Sequence, residues 1–336
     1  MTSSRKIHFE VLEGDVLTFS ADVLALKYAQ GLHGADFAVY HKLSTAGHQP
    51  HVLPEVNGVR LVSTHGVIAP AAVLFLGVVP LHRFDYEEIR EFGHQVLVSL
   101  AGLTPDIEHL ALTIHGPGYG LDEVEAFESE LAGVVDAIIT RNCPRNLNRV
   151  SFIERNAGRA ERLRTTLTEL IPGGVLGTGG VVLDGIKEQP REALRTAGYS
   201  SAAKPSAFVA MPFVDSMDDV FHYGIQGAVK SAGLLCERAD LTSFVGDVME
   251  WVKHRIRSAT FVIADLTTAN PNVYLEVGYA WGCGLPTVLL VRDATDLKFD
   301  VKGQRCLVYK SIKHLEELLS RELAALAASQ DGPRNA

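Results

Sequence analysis

At 336 residues, with 47% hydrophobic and 21% charged side chains, the chain is long enough for two domains, each with its own core. A formal charge of −9 argues against general binding to nucleic acid or to an anionic membrane surface. No apolar run reaches the ~18 residues of a membrane span, and Met1 to Lys6 leads straight into a strand-like segment, so neither a span nor a signal peptide is expected.

The first half alternates strands and helices. Residues 7–12 alternate apolar and polar as a strand does, and Glu13-Gly14-Asp15 breaks them. Residues 23–28 read as a more buried strand, 35–43 as a short helix, and 59–62 and 72–79 as further strands. Ile89, Phe92, Val96, Leu97 and Leu100 recur at helical spacing, which predicts a helix over 85–103. A strand at 110–114 ends in His115-Gly116-Pro117-Gly118-Tyr119-Gly120. A helix over about 121–139, a strand at 149–153 and a helix over 157–170 follow. This alternation predicts a mixed α/β layer fold.

In this order residues 7–171 resemble a macro domain. Gly14-Asp15-Val16 and Ala21-Asp22-Val23 are similar to that family's opening elements. Gly34-Ala35-Asp36 stands where the family has its first glycine-rich loop, and Gly116-Pro117-Gly118-Tyr119-Gly120-Leu121 resembles its second, phosphate-cradling loop. The resemblance implies an ADP-ribose-type ligand, met by backbone N–H groups at glycine-rich turns and helix starts. It marks Gly34, Asp36, Gly116, Gly118, Tyr119 and Gly120 as a ligand loop set. A tight strand-to-helix turn is the alternative use of the second loop. Leu26-Lys27-Tyr28-Ala29-Gln30 replaces the family's asparagine pair, so ordinary ADP-ribose hydrolysis is not expected.

Residues 172–205 are rich in Gly, Pro, Ser and Ala and read as a linker, interrupted by a short strand at 181–183 and a helical piece near 191–197. This sets the domains at 1–171 and 206–328, with a tail at 329–336. In the second half, strands are expected at 207–210, 234–238, 259–264, 286–291 and 306–309. Helices are expected over 217–232, around 245–256, after Pro271, and over 311–328. Five strand–helix repeats predict a parallel, doubly wound, flavodoxin-like sheet. Its first and third strands lie side by side, and ligands bind beyond their carboxyl ends. The turns at those ends carry Met211-Pro212-Phe213 and the polar stretch from Asp265 to Glu276, which are expected to share one crevice. Cys143, Cys236, Cys283 and Cys306 are scattered without metal-ligand spacing and read as reduced thiols of a cytoplasmic protein with no metal site.

Phe208-Val209-Ala210-Met211-Pro212-Phe213, Glu237-Arg238-Ala239-Asp240, Ile263-Ala264-Asp265-Leu266-Thr267, Asn270-Pro271-Asn272-Val273-Tyr274-Leu275-Glu276-Val277-Gly278-Tyr279-Ala280 and Phe299-Asp300 occur in order. They resemble the TIR-like branch of the nucleoside 2-deoxyribosyltransferase-like superfamily over about 206–325. The resemblance implies chemistry at an N-glycosidic bond, with Glu276 matching the carboxylate that acts on the sugar. A carboxylate beneath the ring stabilises or captures the oxocarbenium that forms. Nicotinamide leaves as a neutral base, so one well-placed carboxylate suffices for NAD. Asp265 is a candidate to bind a ribose hydroxyl or assist proton transfer, or to cap the following turn. Asn270 and Asn272 are candidates for ribose or phosphate oxygens, Asn270 equally for a helix cap. Phe213 and Tyr274 would flank a base or pack. Arg238 would meet a phosphate or pair with Asp240 or Glu237.

The expected function is an NAD-cleaving effector of antiviral defence. Its macro-like half senses a nucleotide-derived activator, and its TIR-like half degrades NAD as a homo-oligomer. NAD is then a substrate, and no cofactor is implied. The alternatives are an enzyme acting on another nucleoside or nucleotide, and a non-catalytic nucleotide-binding assembly module.

Overall fold

The computed structural model describes residues 5–48, 52–104, 106–177, 187–238 and 248–330. Among these, two compact units separate. Residues 5–118 and 123–202 form the first, and residues 119–122 together with those from 203 onward form the second. Among the described residues, no helix is long and apolar enough to cross a membrane.

The first unit runs β1 (Lys6–Glu13), β2 (Val23–Tyr28), α1 (Ala35–Thr45), β3 (Val59–Ser63), β4 (Ala72–Gly77), α2 (Tyr86–Leu103), β5 (His109–Thr113), α3 (Glu123–Ile139), β6 (Arg149–Glu154) and α4 (Ala157–Leu170). The short edge strand β7 (Val175–Gly177) follows. The strands form one seven-stranded sheet in the order β3-β4-β2-β5-β6-β1-β7. The inner strands pair in parallel, and β3 and β7 close the edges antiparallel. Inner strands covered on both faces explain the near-continuous apolar run of β2. Helix starts follow local chemistry. Asp85 and Glu88 form a reciprocal capping box on α2, and the Asn156 side chain accepts from Arg159 N at the start of α4. α2 and α3 cross closely, because a Cβ on Gly133 would collide with the Arg90 carbonyl oxygen.

The composition of 172–205 reads as a linker, but its two described ends are folded. β7 pairs with β1. Residues 188–203 form α5 (Glu188–Thr196) and α6 (Tyr199–Ala203), and α5 packs on α3 and α4. Leu194, Ala197 and Ser201 are buried. The helical piece expected near 191–197 is present as α5. The strand expected at 181–183 lies outside the described residues.

The second unit contains β8 (Ser206–Ala210), α7 (Gln226–Ser231), β9 (Leu235–Glu237), α8 (Val248–Ser258), β10 (Phe261–Asp265), α9 (Pro271–Gly282), β11 (Thr287–Val291), β12 (Cys306–Val308) and α10 (Ile312–Gln330). All five strands are parallel, in the order β9-β8-β10-β11-β12, so the first and third are neighbours as the doubly wound pattern requires. The helix expected over 217–232 forms, with a π-helical stretch, Val220–Ile225, inside it that runs without a break into α7. The wider turn keeps Val220, Phe221, Ile225, Ala228 and Val229 in one core although their spacing overruns a regular α-helical stripe. That core also takes Phe261 and Ile263 of β10, Leu290 of β11, Tyr309, and Leu315, Leu319 and Leu323 of α10. α7 and α10 therefore cover one face of the sheet, and α9, which packs on β10, β8 and β11, covers the other.

Candidate active site

α9 begins beyond the carboxyl end of β10. Pro271 occupies its first position, and the Asn270 side chain accepts from Asn272 N at 2.9 Å. The face turned to the sheet carries Val273, Glu276, Val277 and Ala280, all buried at helical spacing. One member of this otherwise apolar stripe is a carboxylate. Glu276 is 9% exposed, and no hydrogen bond or ion pair joins it to any of the described residues. Burial alone pushes its carboxyl up to about 7. A carboxyl so placed exchanges its proton near neutrality and keeps both oxygens free for a ligand. Its neighbours on α9 are otherwise engaged. Asn270 is the helix cap, the backbone N–H of Asn272 serves that cap while its side chain is exposed, and the Tyr274 hydroxyl accepts from Lys298 N at 3.1 Å.

Asp265 behaves differently. It is fully buried, and both oxygens are occupied. Oδ1 accepts from Thr267 N at 2.9 Å, and Oδ2 accepts from the Tyr309 hydroxyl at 2.7 Å. The ring continues through Arg292, whose Nε donates to the Tyr309 oxygen at 3.3 Å and whose backbone N–H donates to Thr267 Oγ1 at 3.1 Å. Burial raises the Asp265 carboxyl, and the bonds from Thr267 and Tyr309 with the Arg292 charge hold it back down. Tyr309 is pushed up to about 12 by burial and by the Asp265 charge. The side chain shares the face of Phe261 and Ile263, covered by α10, whereas Glu276 lies on the α9 face. The strand pleat therefore sets Asp265 on the α10 face and Glu276 on the α9 face, and the capping alternative describes the geometry of Asp265. It fixes the turn 266–270, in which Thr268 and Ala269 both hold left-handed φ values of 66° and 52°. Two adjacent non-glycine residues in that region need such a clamp. Arg292 and Tyr309 escaped the sequence reading because one ends a strand and the other reads as apolar packing. Only the strand order brings them to Asp265.

At the end of β8, Met211 is a core residue, Pro212 is buried and Phe213 is half-buried. The Arg238 guanidinium lies 5.2 Å from the Phe213 ring centroid and 4.0 Å from that of Phe221, and reaches Asp218 at 3.6 Å. Arg238 thus pairs with Asp218; of the two partners weighed from sequence, Glu237 pairs with Arg255 and Asp240 lies outside the described residues. This cluster shares the core of the α7 face, so Met211 and Phe213 gather around Arg238, with no hydrogen bond to Glu276.

In the first unit, Gly34 has φ 69° ahead of α1, and Asp36 is 2% exposed. Asp36 Oδ1 accepts from His33 N at 2.9 Å, and Oδ2 is buried with no hydrogen-bond partner among the described residues. A buried acceptor without a donor costs about 1–3 kcal/mol unless a ligand or water supplies one. The second loop turns at Gly116 (φ 105°) and Gly120 (φ 89°) around a single helical turn, Pro117–Tyr119. Gly118 has open space where a Cβ would stand. At the head of this loop, buried His115 is held by Glu130 through its backbone N–H and its Nδ1, both at 3.1 Å. That clamp was not legible in the sequence, since Glu130 reads as a surface position on an amphipathic helix.

No family model matches the chain, and no curated protein matches it. Solved structures similar to part of this chain include macrodomains. One is the Trypanosoma brucei macrodomain in complex with ADP-ribose, 15% identical, with a TM-score of 0.38 over 48% of this chain and 69% of that one. A second is the Oceanobacillus iheyensis macrodomain with MES bound, 12% identical, TM-score 0.35, over 49% and 93%. The macrodomain of Mycobacterium tuberculosis DarG is 17% identical, TM-score 0.31, over 44% and 97%.

Proposed function

We propose that the protein cleaves the N-glycosidic bond between nicotinamide and ribose in NAD, with Glu276 as the reacting carboxylate. We further propose that the first unit binds a nucleotide-derived signal, as an effector of antiviral defence that works in a self-assembled state. The observation that carries the reading is the Glu276 carboxylate, buried on the sheet-facing stripe of α9 with no partner among the described residues. Nothing in the folding of α9 requires a carboxylate there, and an apolar side chain would complete the stripe. When ionised, it meets the positive charge that builds on the ribose as nicotinamide departs, electrostatically or by attack at the anomeric carbon. Water then completes hydrolysis. The apolar surroundings strengthen that attraction by excluding solvent. Asp265 positions the turn before α9. In the first unit, the unpartnered oxygen of Asp36 suits a ribose hydroxyl, and the glycine turn at 116–118 suits a diphosphate. The motif resemblance to TIR-like and macro families supports both halves.

The test is incubation of the full chain with NAD and, separately, with purine and pyrimidine nucleosides, each with and without ADP-ribose. Nicotinamide release from NAD supports the proposal. Base release from nucleosides alone transfers the chemistry to another N-glycoside, and binding without turnover reduces the protein to an assembly module.

A further inference from the structure

Within the first unit, a cavity of about 340 Å³ lies beyond the carboxyl end of β4, between that strand end, the turn 54–58 and one face of α2. Its size is that of a small-molecule site. None of its lining residues belongs to the set of Gly34, Asp36 and the glycine turn at 116–118. The inner part is apolar, with buried Leu76 and Val78 from the strand end and buried Phe92 from α2. The Phe92 ring is held edge to face on buried His115, with centroids 4.5 Å apart. The turn is built tightly against the strand. Gly77 O accepts from Asn57 N at 2.8 Å, and Gly77 N donates to Gly58 O at 2.9 Å. A Cβ on Gly77 would collide with the Glu55 carbonyl oxygen, so only glycine lets the turn lie this close. This fixes Asn57, at φ 66°, on the cavity wall.

The charge in the lining is of one sign. Glu88 and Glu91 lie three residues apart on α2, on the same face as Phe92 and Gln95. Each has one oxygen engaged: Glu88 Oε2 accepts from Asp85 N at 3.1 Å, and Glu91 Oε1 accepts from Gln95 Nε2 at 2.6 Å. The second oxygen of each has no partner among the described residues. Among those residues no lysine, arginine or histidine lines the cavity. Two like charges at this spacing repel each other, and a cation between them relieves the repulsion.

We propose that this cavity binds a small primary amine: an ammonium group carried on a short apolar body. The three N–H donors of the ammonium are met by Glu88, Glu91 and the Asn57 side chain, and the body lies against Leu76, Val78 and Phe92. The same carboxylates repel a diphosphate, so the ligand belongs to a different chemical class from the one proposed for the glycine turns. The assignment does not depend on the reaction proposed for Glu276.

Calorimetric titration of the full chain with benzylamine tests this, beside benzyl alcohol, which keeps the body and removes the charge. Benzylamine is expected to bind at least about tenfold more tightly than the alcohol. Glu88→Gln and Glu91→Gln are each expected to weaken benzylamine about tenfold. Glutamine at 88 still accepts from Asp85 N and preserves the start of α2. Equal affinity for the amine and the alcohol would make the cavity an apolar slot and overturn the ammonium. Benzylamine binding that is unchanged in the double variant, or absent up to about 10 mM, would overturn the site. Tighter binding of Nα-acetyl-lysine methylamide than of benzylamine would assign the ammonium to a lysine side chain of a partner protein and overturn the small-molecule reading.

Discussion

The end of β10 and the second turn of α9 each bury a carboxylate, and the two could hardly be treated more differently. Asp265 has a donor on each oxygen and sits in a ring of four side chains drawn from three strand ends. Glu276 has no donor among the described residues and lies in an apolar stripe. Burial raises both, but hydrogen bonds offset the effect only at Asp265. The contrast teaches that burial does not distinguish a structural carboxylate from a reactive one. The number of donors already committed to it does. Asp36, with one oxygen served and the other orphaned, falls between them.

The largest expected effect separates the two by activity. Glu276→Gln keeps the shape of the side chain and removes its charge, and is expected to lower kcat for nicotinamide release on the order of 10³-fold or more. The same substitution should stabilise the protein. The folded carboxyl titrates near 7 instead of its ordinary 4.5, so its contribution to stability is fully present below about pH 4.5 and is lost as pH rises through about 7. At pH 8 this corresponds to roughly 3 kcal/mol, which Glu276→Gln would recover, with the gain fading toward pH 5. Urea unfolding followed at both pH values checks it. A destabilised Glu276→Gln protein at pH 8 would mean that the carboxylate has partners in solution.

Asp265→Ala should do the reverse. It leaves Thr267 N–H and the Tyr309 hydroxyl buried without an acceptor, and is expected to cost about 2–4 kcal/mol in the second unit. Tyr309→Phe removes one donor and keeps the ring in the core, so about 1–2 kcal/mol is expected, with its Asp265-dependent part vanishing in the Asp265→Ala background. If Tyr309→Phe and Asp265→Ala add in a double-mutant cycle, the ring is not a coupled unit.

The course of the chain was readable where periodicity and turn chemistry agree. The inner strands of both sheets, α2, α4, and the side-by-side placement of β8 and β10 follow from apolar runs and from the repeat of strand and helix. Asn270-Pro271 marked the start of α9, whereas the inward turn of Glu276 beside Val273, Val277 and Ala280 came only with the structure. Which face of the sheet each carboxylate occupies was not readable. That depends on the pleat at the end of β10 and on the side to which α9 crosses, and a one-residue change in either would reverse it. Arg292 and Tyr309 could be assigned to Asp265 only once β11 was known to lie beside β10, and β12 beside β11. Within 188–203 the helical piece near 191–197 was readable, but its packing on α3 and α4 was not, because the composition of the segment signals a linker.

The pH dependence of nicotinamide release from NAD by the full chain, beside that of Glu276→Gln, tests the central claim most directly. If the unpartnered Glu276 carboxylate reacts, kcat rises with pH through an inflection near 7 and the substitution abolishes the release. Release that is flat from pH 5.5 to 8.5, or that survives in Glu276→Gln, would contradict it.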